Sequence, residues 1–272
     1  MFDLSTFHIV LRYSHIVVGF VGLVVFWIPA IAKKGSRLHI LSGKIFAVCG
    51  YFVGTTALIA CTWALLFPQS FLISLGTPAS VAARPDLIGQ IRFFFAILAF
   101  LATTIVVGLT FGIAVLRTKK TPERLKAVAL RAMFWVQGTV GVALTIFGLW
   151  SVGFAASGSR YVICLILGLL GIADAKDSLK FIATPRPTPM AWWYKHMEAM
   201  VGCGIGFHTA FFVFGFSRLL PEGTLAGPFQ LIPWVLPSAI GIPVLTMWIR
   251  YYKRKFGELD ESSARQPAAV SE

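Results

Sequence analysis

The chain has 272 residues and a net charge of +13, and 57% of its residues are hydrophobic. A mean hydropathy of +0.79 leaves too little polar surface to cover a water-soluble domain, so composition excludes that class and indicates a membrane protein. The basic residues lie in gaps between apolar runs rather than on one face of a folded unit. This distribution argues against nucleic acid as a partner and favours the lipid bilayer, with anionic lipids at the cytoplasmic loops.

The apolar runs follow one another along the chain, and a length of about 20 residues suffices to cross the hydrocarbon core. Each run is apolar on every side, whereas a barrel strand alternates over about ten residues, so we predict helices. The fold class is all-α, a polytopic transmembrane helix bundle with seven spans. The predicted spans are Phe7 to Ala32, Ile40 to Phe67, Gln90 to Leu116, Ala127 to Phe154, Tyr161 to Ala175, Met197 to Leu219 and Phe229 to Tyr251.

The domain organisation that follows is simple. Residues 1–252 are assigned to the seven-helix transmembrane domain, which leaves no room for a second folded domain. Residues 253–272 are predicted to be a basic, then polar, disordered cytoplasmic tail.

The fifth run is short and ends among charges, so the distribution of Lys and Arg is used to decide whether it crosses the membrane. With seven spans and the N-terminus outside, 19 of the 24 Lys and Arg are cytoplasmic and 5 are outside. Without the fifth span, 10 would be inside and 14 outside. The positive-inside rule therefore favours seven spans and a cytoplasmic C-terminus. The loops near Lys34, Lys119 and Arg186 and the tail after Arg250 are expected inside, and Asp86, Ser157 and Glu222 outside.

Small residues and cysteines indicate packing rather than chemistry. Gly50 with Gly54, and Gly108 with Gly112, have the four-residue spacing that lets membrane helices approach closely. Each of the four cysteines lies in an apolar run and none forms a C-x-x-C pair, so no disulfide or metal framework is predicted.

Histidines are the first candidate ligands. The predicted topology places His39 and His196 at the cytoplasmic edge, and His15 and His208 nearer the outer side. Two such pairs are what a transmembrane electron carrier with two b-type haems uses, because a neutral imidazole from each of two helices binds each iron. His196 and His208 are twelve residues apart, about 120° around a helix, so they do not project along one seam. Interfacial contacts or structural hydrogen bonds are the alternative roles.

Acidic residues form a second group of candidates. Asp174 and Asp177 are three residues apart at the end of the fifth span. They either pair with Lys176, Lys180 or arginines of the fourth span, or form a proton or cation site. Glu198 either orients the His196 ring or stabilises the start of the sixth span through the helix dipole.

Several of these residues together carry a resemblance. His15, Lys34-Gly35, His39-x-x-x-Gly43, Asp174 and the stretch WWYKHMEAMVGCGIGFHTAFFVF, with His196 and Met200, resemble a family of uncharacterised bacterial multi-pass membrane proteins. The resemblance implies the fold and a location in the bacterial inner membrane, and it implies no activity.

Three functions are compatible with the sequence. The first is a haem b electron carrier that uses His15, His39, His196 and His208. The second is a transporter in which His15, His208 and Asp174 line a proton or solute path. The third is a non-catalytic assembly or regulatory subunit, acting with a membrane-protein partner or as a homo-oligomer. Whether the protein is an enzyme is not decided by the sequence.

Overall fold

The computed structural model describes residues 3–150, 159–184, 188–221, 223–225 and 227–259, and within these ranges the regular structure is helical. The predicted positions Ser157, Arg186 and Glu222 lie outside the described residues. The α-helices are α1 (Leu4–Ile31), α2 (Arg37–Leu66), α3 (Pro68–Ser74), α4 (Ala79–Ala82), α5 (Pro85–Arg117), α6 (Val128–Trp150), α7 (Ser159–Ala183), α8 (Ala191–Ala210) and α9 (Ile232–Lys255).

Among the described residues, six helical stretches are long and apolar enough to cross a membrane. They are α1, α2, α5, α6, α8 with its continuation to Leu219, and α9 with the turn that begins at Phe229. Helix α7 has 25 residues, but Asp174, Lys176 and Asp177 interrupt its apolar surface. The prediction of an all-helical membrane fold is confirmed, and the seventh span remains a prediction.

Local sequence signals explain where the first two helices begin. The Asp3 carboxylate accepts hydrogen bonds from the backbone N–H groups of Ser5 and Thr6, which caps α1. The Thr6 hydroxyl also donates to this carboxylate. That bond, and then the two backbone bonds, hold the pKa of Asp3 below its usual value. Gly35 has a φ of +79°, a conformation that favours glycine, and it turns the chain into the Ser36 N-cap of α2.

A four-helix unit forms one half of the molecule. Helix α2 packs against α1 and α5, and α8 closes the unit by packing against α5 and α1. Its interior is aromatic, since Phe26 of α1, Phe46 of α2 and Phe207 of α8 meet around Leu109 of α5. Close packing of these side chains supplies van der Waals contact energy to the unit, since lipid tails are as apolar as the side chains themselves.

Helices α6 and α7 form an antiparallel hairpin beside this unit. They pack against each other along their length, and Phe134 of α6 and Ala175 of α7 share a buried cluster with Phe111 of α5. A second cluster joins Phe100 of α5 to Cys164 of α7. Helix α5 is therefore common to both halves of the protein.

The glycines predicted to mediate packing lie at helix contacts. A Cβ atom on Gly54 would lie 2.5 Å from Val106 Cγ2, and one on Gly108 would lie 3.0 Å from Cys203 Sγ. Gly50 and Gly112 face Leu109 and Met200 in the same way. The predicted spacing thus corresponds to the α2–α5 and α5–α8 interfaces.

The chain beyond α9 returns to the start of α8. Helix α9 continues to Lys255, three residues past the predicted domain end at residue 252. Glu258 is only 6% exposed. Its carboxylate accepts hydrogen bonds from the Met190 backbone N–H at 2.8 Å and from the Tyr194 hydroxyl at 2.7 Å. Since α8 has no side-chain cap of its own at Met190, Glu258 supplies an acceptor to the start of this helix.

Candidate functional site

A polar contact joins α6 and α7 at equal distances from the start of α6 and the end of α7. The Gln137 amide nitrogen donates to Asp174 Oδ2 at 2.7 Å. Gln137 lies nine residues into α6 and Asp174 nine residues before the end of α7, which corresponds to about 13 Å along each helix. The hairpin therefore places an ionisable carboxyl group well inside the helical length, and such groups are the default functional candidates in membrane proteins.

Lys195 of α8 brings a positive charge to this contact. Its side chain is 8% exposed and forms ion pairs with Asp177 and, at 3.0 Å, with Glu198. The ammonium group also lies 5.9 Å from the Phe111 ring centre, within reach of a cation–π interaction. Asp174 interacts electrostatically with Lys195 as well. The cluster of Gln137, Asp174, Asp177, Lys195 and Glu198 therefore links the α6–α7 hairpin to the four-helix unit.

This arrangement differs from the pairing expected for the acidic residues. Asp177 pairs with Lys195 of another helix, instead of with Lys176 or Lys180 of its own helix. Glu198 also pairs with Lys195, and the hydrogen-bond partner of His196 is a backbone carbonyl. Lys195 was not predicted as the partner of Asp177 because the sequence alone gives no distance between α7 and α8. The signal that could have indicated the Gln137–Asp174 contact is that each is a polar residue within one of two consecutive predicted apolar spans.

Two buried oxygen atoms beside Asp174 have no hydrogen-bond partner. Gln137 Oε1 has none, and Ser178 Oγ makes none with the geometry of a hydrogen bond, although it lies close enough to the Asp174 carboxylate to interact with it. Each residue is only 1% exposed. Ser178 lies one turn beyond Asp174 on α7. Leaving a buried polar atom unpaired costs about 1–3 kcal/mol, so these atoms indicate a place where another group belongs.

Charge at the cluster is unbalanced. Three carboxyl groups, those of Asp174, Asp177 and Glu198, surround the single ammonium group of Lys195. When all are ionised, the cluster has an excess of negative charge, which attracts a cation. Asp174 keeps accessible surface although Gln137 beside it is buried, so its carboxyl group can be reached from outside the helix pair.

His39 and His196, predicted to form the inner pair, lie at the end of the four-helix unit where α1 ends and α2 begins. His39 and Lys34 are both near enough to His196 to interact with it electrostatically. His39 Nδ1 donates to the Pro29 carbonyl at 3.0 Å, and His196 Nδ1 donates to the Gly112 carbonyl at 2.9 Å. Because a carbonyl only accepts, Nδ1 carries the proton and Nε2 of each neutral ring remains an acceptor.

Lys34 completes the end of α1. Its ammonium group donates to the carbonyls of Pro29 and Ala30 at 2.8 and 2.7 Å. Burial lowers the pKa of Lys34 from its ordinary value. Together with His39, this side chain satisfies carbonyl groups that the end of a helix leaves without partners. The basic first loop therefore caps the end of α1, in addition to contributing to the charge distribution that predicts the topology.

The outer histidines do not form a pair. His15 Nδ1 bonds to Thr56 Oγ1 of α2 at 2.9 Å, whereas the His208 ring lies 5.3 Å from that of Trp27. Trp27 follows His15 by twelve residues on α1, or about 18 Å along the helix axis. His208 Nδ1 donates to the Gly204 carbonyl one turn earlier on its own helix. The expected approach of His15 to His208 is therefore not found.

The geometry does not fit a carrier with two haems. His15 and His208 are separated, and the two recesses described on the protein lie elsewhere. One is between the start of α1 and the end of α2, and the other is lined by Ser217, Arg218 and Leu225. Neither recess is lined by His39 or His196. Over the described ranges, no three His, Cys, Asp or Glu residues are grouped to hold a metal ion. In the inner pair, Nδ1 of each ring is bound to a backbone carbonyl, and Nε2 of each ring remains an acceptor.

Comparisons with protein-family models, with curated proteins and with solved structures found no match for the chain. The class that the fold defines is an all-helical protein with apolar helices long enough to cross a lipid bilayer. The four cysteines are free and buried, as the packing role requires.

Proposed function

We propose that the protein is a seven-span carrier of protons in a bacterial inner membrane, with the N-terminus outside and the C-terminus in the cytoplasm. Asp174 takes up and releases the proton. The observation that carries the proposal is the Gln137–Asp174 contact, an ionisable group about 13 Å inside the α6–α7 hairpin with an unpaired oxygen beside it.

Contacts at one end of the bundle support the proposed orientation. Lys34, in the loop after α1, lies 5.5 Å from the ring centre of Trp248 in the last part of α9. The first loop and the C-terminal end are therefore on the same side. That side carries the excess of Lys and Arg, which the positive-inside rule assigns to the cytoplasm.

The roles of the neighbouring groups follow from their distances. Gln137 donates a hydrogen bond to the ionised Asp174 carboxylate. This bond lowers the free-energy cost of the charged form between two apolar helices. Lys195 is held in place by its ion pairs with Asp177 and Glu198. When Asp174 binds a proton, its attraction for Lys195 weakens, so protonation changes the force between the hairpin and the four-helix unit.

Proton transport is tested on the full chain in liposomes that contain a pH-sensitive dye. The vesicles hold mixed sodium and potassium salts on both sides, valinomycin clamps the potential, and an imposed pH gradient is followed as it collapses. We expect collapse well above that of protein-free vesicles, and at least a tenfold slower rate for Asp174→Asn, because an amide carries no titratable proton.

The matched control is Asp86→Asn, which removes a carboxylate that pairs with Arg84 at the other end of the bundle. It should conduct like the wild-type protein. A wild-type rate no higher than that of empty vesicles, or an Asp174→Asn rate equal to wild type, would overturn the proposal. Elution of each variant as a single detergent-solubilised species establishes that it is folded.

A single haem b at the inner histidine pair is the second candidate, favoured by the shared tautomer of His39 and His196. These two residues would be its axial ligands, and the haem would supply one-electron chemistry. An absorption band that shifts on reduction in purified protein, and that is lost in both His39→Ala and His196→Ala, would support this candidate. A colourless protein from haem-replete cells rejects it.

A further inference from the structure

We propose that the site at Asp174 also binds a dehydrated monovalent alkali cation, sodium in the first instance, so that the protein exchanges that cation for a proton. This inference rests on the proposed proton carriage and names the ion that competes for the same carboxyl group. Its ligands are the Asp174 carboxylate, Gln137 Oε1 and Ser178 Oγ.

The oxygen atoms carry the inference. Hard cations bind carboxylate, amide and hydroxyl oxygens, and the site offers one atom of each kind. Gln137 Oε1 is buried and has no hydrogen-bond partner, and the buried Ser178 Oγ lies close enough to the Asp174 carboxylate to interact with it. The Gln137 amide already touches the carboxylate through its nitrogen at 2.7 Å. A half-turn of the amide exchanges nitrogen for oxygen and directs Oε1 at an ion on Asp174.

The charge of the ligand set selects a monovalent ion. Asp174 supplies one negative charge, and the other two ligands are neutral, so sodium neutralises the set as a proton does. A divalent ion would leave a positive charge beside the Lys195 ammonium group. Soft metals need sulfur or imidazole ligands, and the set contains neither. Cys203 of α8 interacts electrostatically with Asp174, but its Sγ donates to the Ile105 carbonyl.

Exchange conserves charge and atoms. Protonated Asp174 loses one proton when sodium binds, and the site has the same net charge before and after. Asp177 of α7 and Lys195 of α8 are the charged groups that interact with Asp174. Glu198 of α8 pairs with Lys195, and α6 contributes the neutral Gln137. Since Lys195 is paired with two carboxylates, it remains charged while Asp174 changes partner.

Binding is measured on the detergent-solubilised full chain by equilibrium dialysis with radioactive sodium at alkaline and acidic pH. We expect saturable binding that weakens as the pH falls, with about one proton released per sodium ion bound. Gln137→Leu and Asp174→Asn should each weaken binding at least tenfold. Gln90→Leu, an exposed glutamine at the other end of the bundle, should bind like wild type.

Replacing sodium alone by choline in the liposome assay separates the two proposals, because potassium stays on both sides and valinomycin still clamps the potential. Slower proton flux in choline supports exchange. Flux that is unchanged in choline, together with the absence of saturable sodium binding, overturns the exchange while proton carriage stands. Sodium binding without any flux dependent on Asp174 overturns proton carriage. If Gln137→Leu does not fold, Ser178→Ala and the proton-to-sodium ratio decide the question.

Discussion

The Lys119 ammonium group lies 5.1 Å from the ring centre of Trp192. Lys119 follows α5 and Trp192 is in the first turn of α8, so the chain leaves and returns to the same end of the bundle between them. An even number of crossings must separate these residues. Because α6 is apolar enough to cross, α7 has to return, and this contact favours seven spans over six.

Cysteine labelling tests that topology with residues at the two ends. Ser80→Cys in α4 should react with a membrane-impermeant maleimide in intact cells, whereas Lys120→Cys should react only after the membrane is opened. A reporter fused to the C-terminus should share the compartment of Lys120. The four native thiols are buried, so their background reaction should be low. A C-terminal reporter on the side of Ser80 would contradict seven spans, because six spans would place it there.

Two glycines of α8 give a matched test of packing. A Cβ atom on Gly204 would meet the Phe26 ring of α1, including Cδ2 at 2.7 Å, whereas one on Gly202 has nothing within 4 Å. Gly204→Ala should destabilise the protein by about 1–3 kcal/mol through overpacking. Gly202→Ala should leave stability unchanged or raise it, because alanine favours helix. Thermal unfolding in detergent compares the two, and equal melting temperatures would rule out the α1–α8 contact.

The buried bond between His8 and Ser74 offers a second stability test. His8 Nδ1 lies 2.7 Å from Ser74 Oγ, and the serine hydroxyl donates to the Phe71 carbonyl, so the histidine is the donor. Ser74→Ala leaves this N–H without its acceptor and should cost about 1–3 kcal/mol. Ser80→Ala, at an exposed serine in α4, should cost nothing measurable. Unfolding of both variants by heat provides the comparison, and equal stability would place His8 elsewhere.

Lys195 should be needed for the stability of the cluster. Lys195→Met keeps the length of the side chain but leaves Asp177 and Glu198 without their shared partner. We expect a loss of about 1–3 kcal/mol, less than for a fully buried pair because Asp177 is 64% exposed. Lys180→Met, on the exposed surface of α7, is the control. A wild-type melting temperature for Lys195→Met would show that the pairs contribute little.

Hydrophobicity was sufficient to predict the helices and their approximate order, because a run of about twenty apolar residues is compatible with a membrane-spanning helix and with few other structures. It was also sufficient for the glycine contacts of α2 with α5. The length of α7 was underestimated, since Asp174 and Asp177 look like the end of a span when their partners are unknown. The helix continues to Ala183 because Gln137 and Lys195 compensate those charges.

The histidines show what a single sequence leaves open. The spacing of His196 and His208 already indicated different faces of α8, and the rings indeed have unrelated partners, the Gly112 and Gly204 carbonyls. The separation of His15 from His208 depends on how α1 slides against α8. That register is set by contacts such as Phe26 against Gly204, which follow no periodic pattern in the sequence.

The contact of Glu258 with the start of α8 affects the order in which parts of the chain can fold during synthesis. The N-terminal turn of α8 receives its acceptor from a residue that the ribosome adds 68 positions after Met190. During synthesis α8 and α9 are therefore both made before this turn acquires its carboxylate. A nascent chain arrested before residue 258 should hold the start of α8 less firmly than the released protein, so the last described turn of the polypeptide completes a helix begun much earlier.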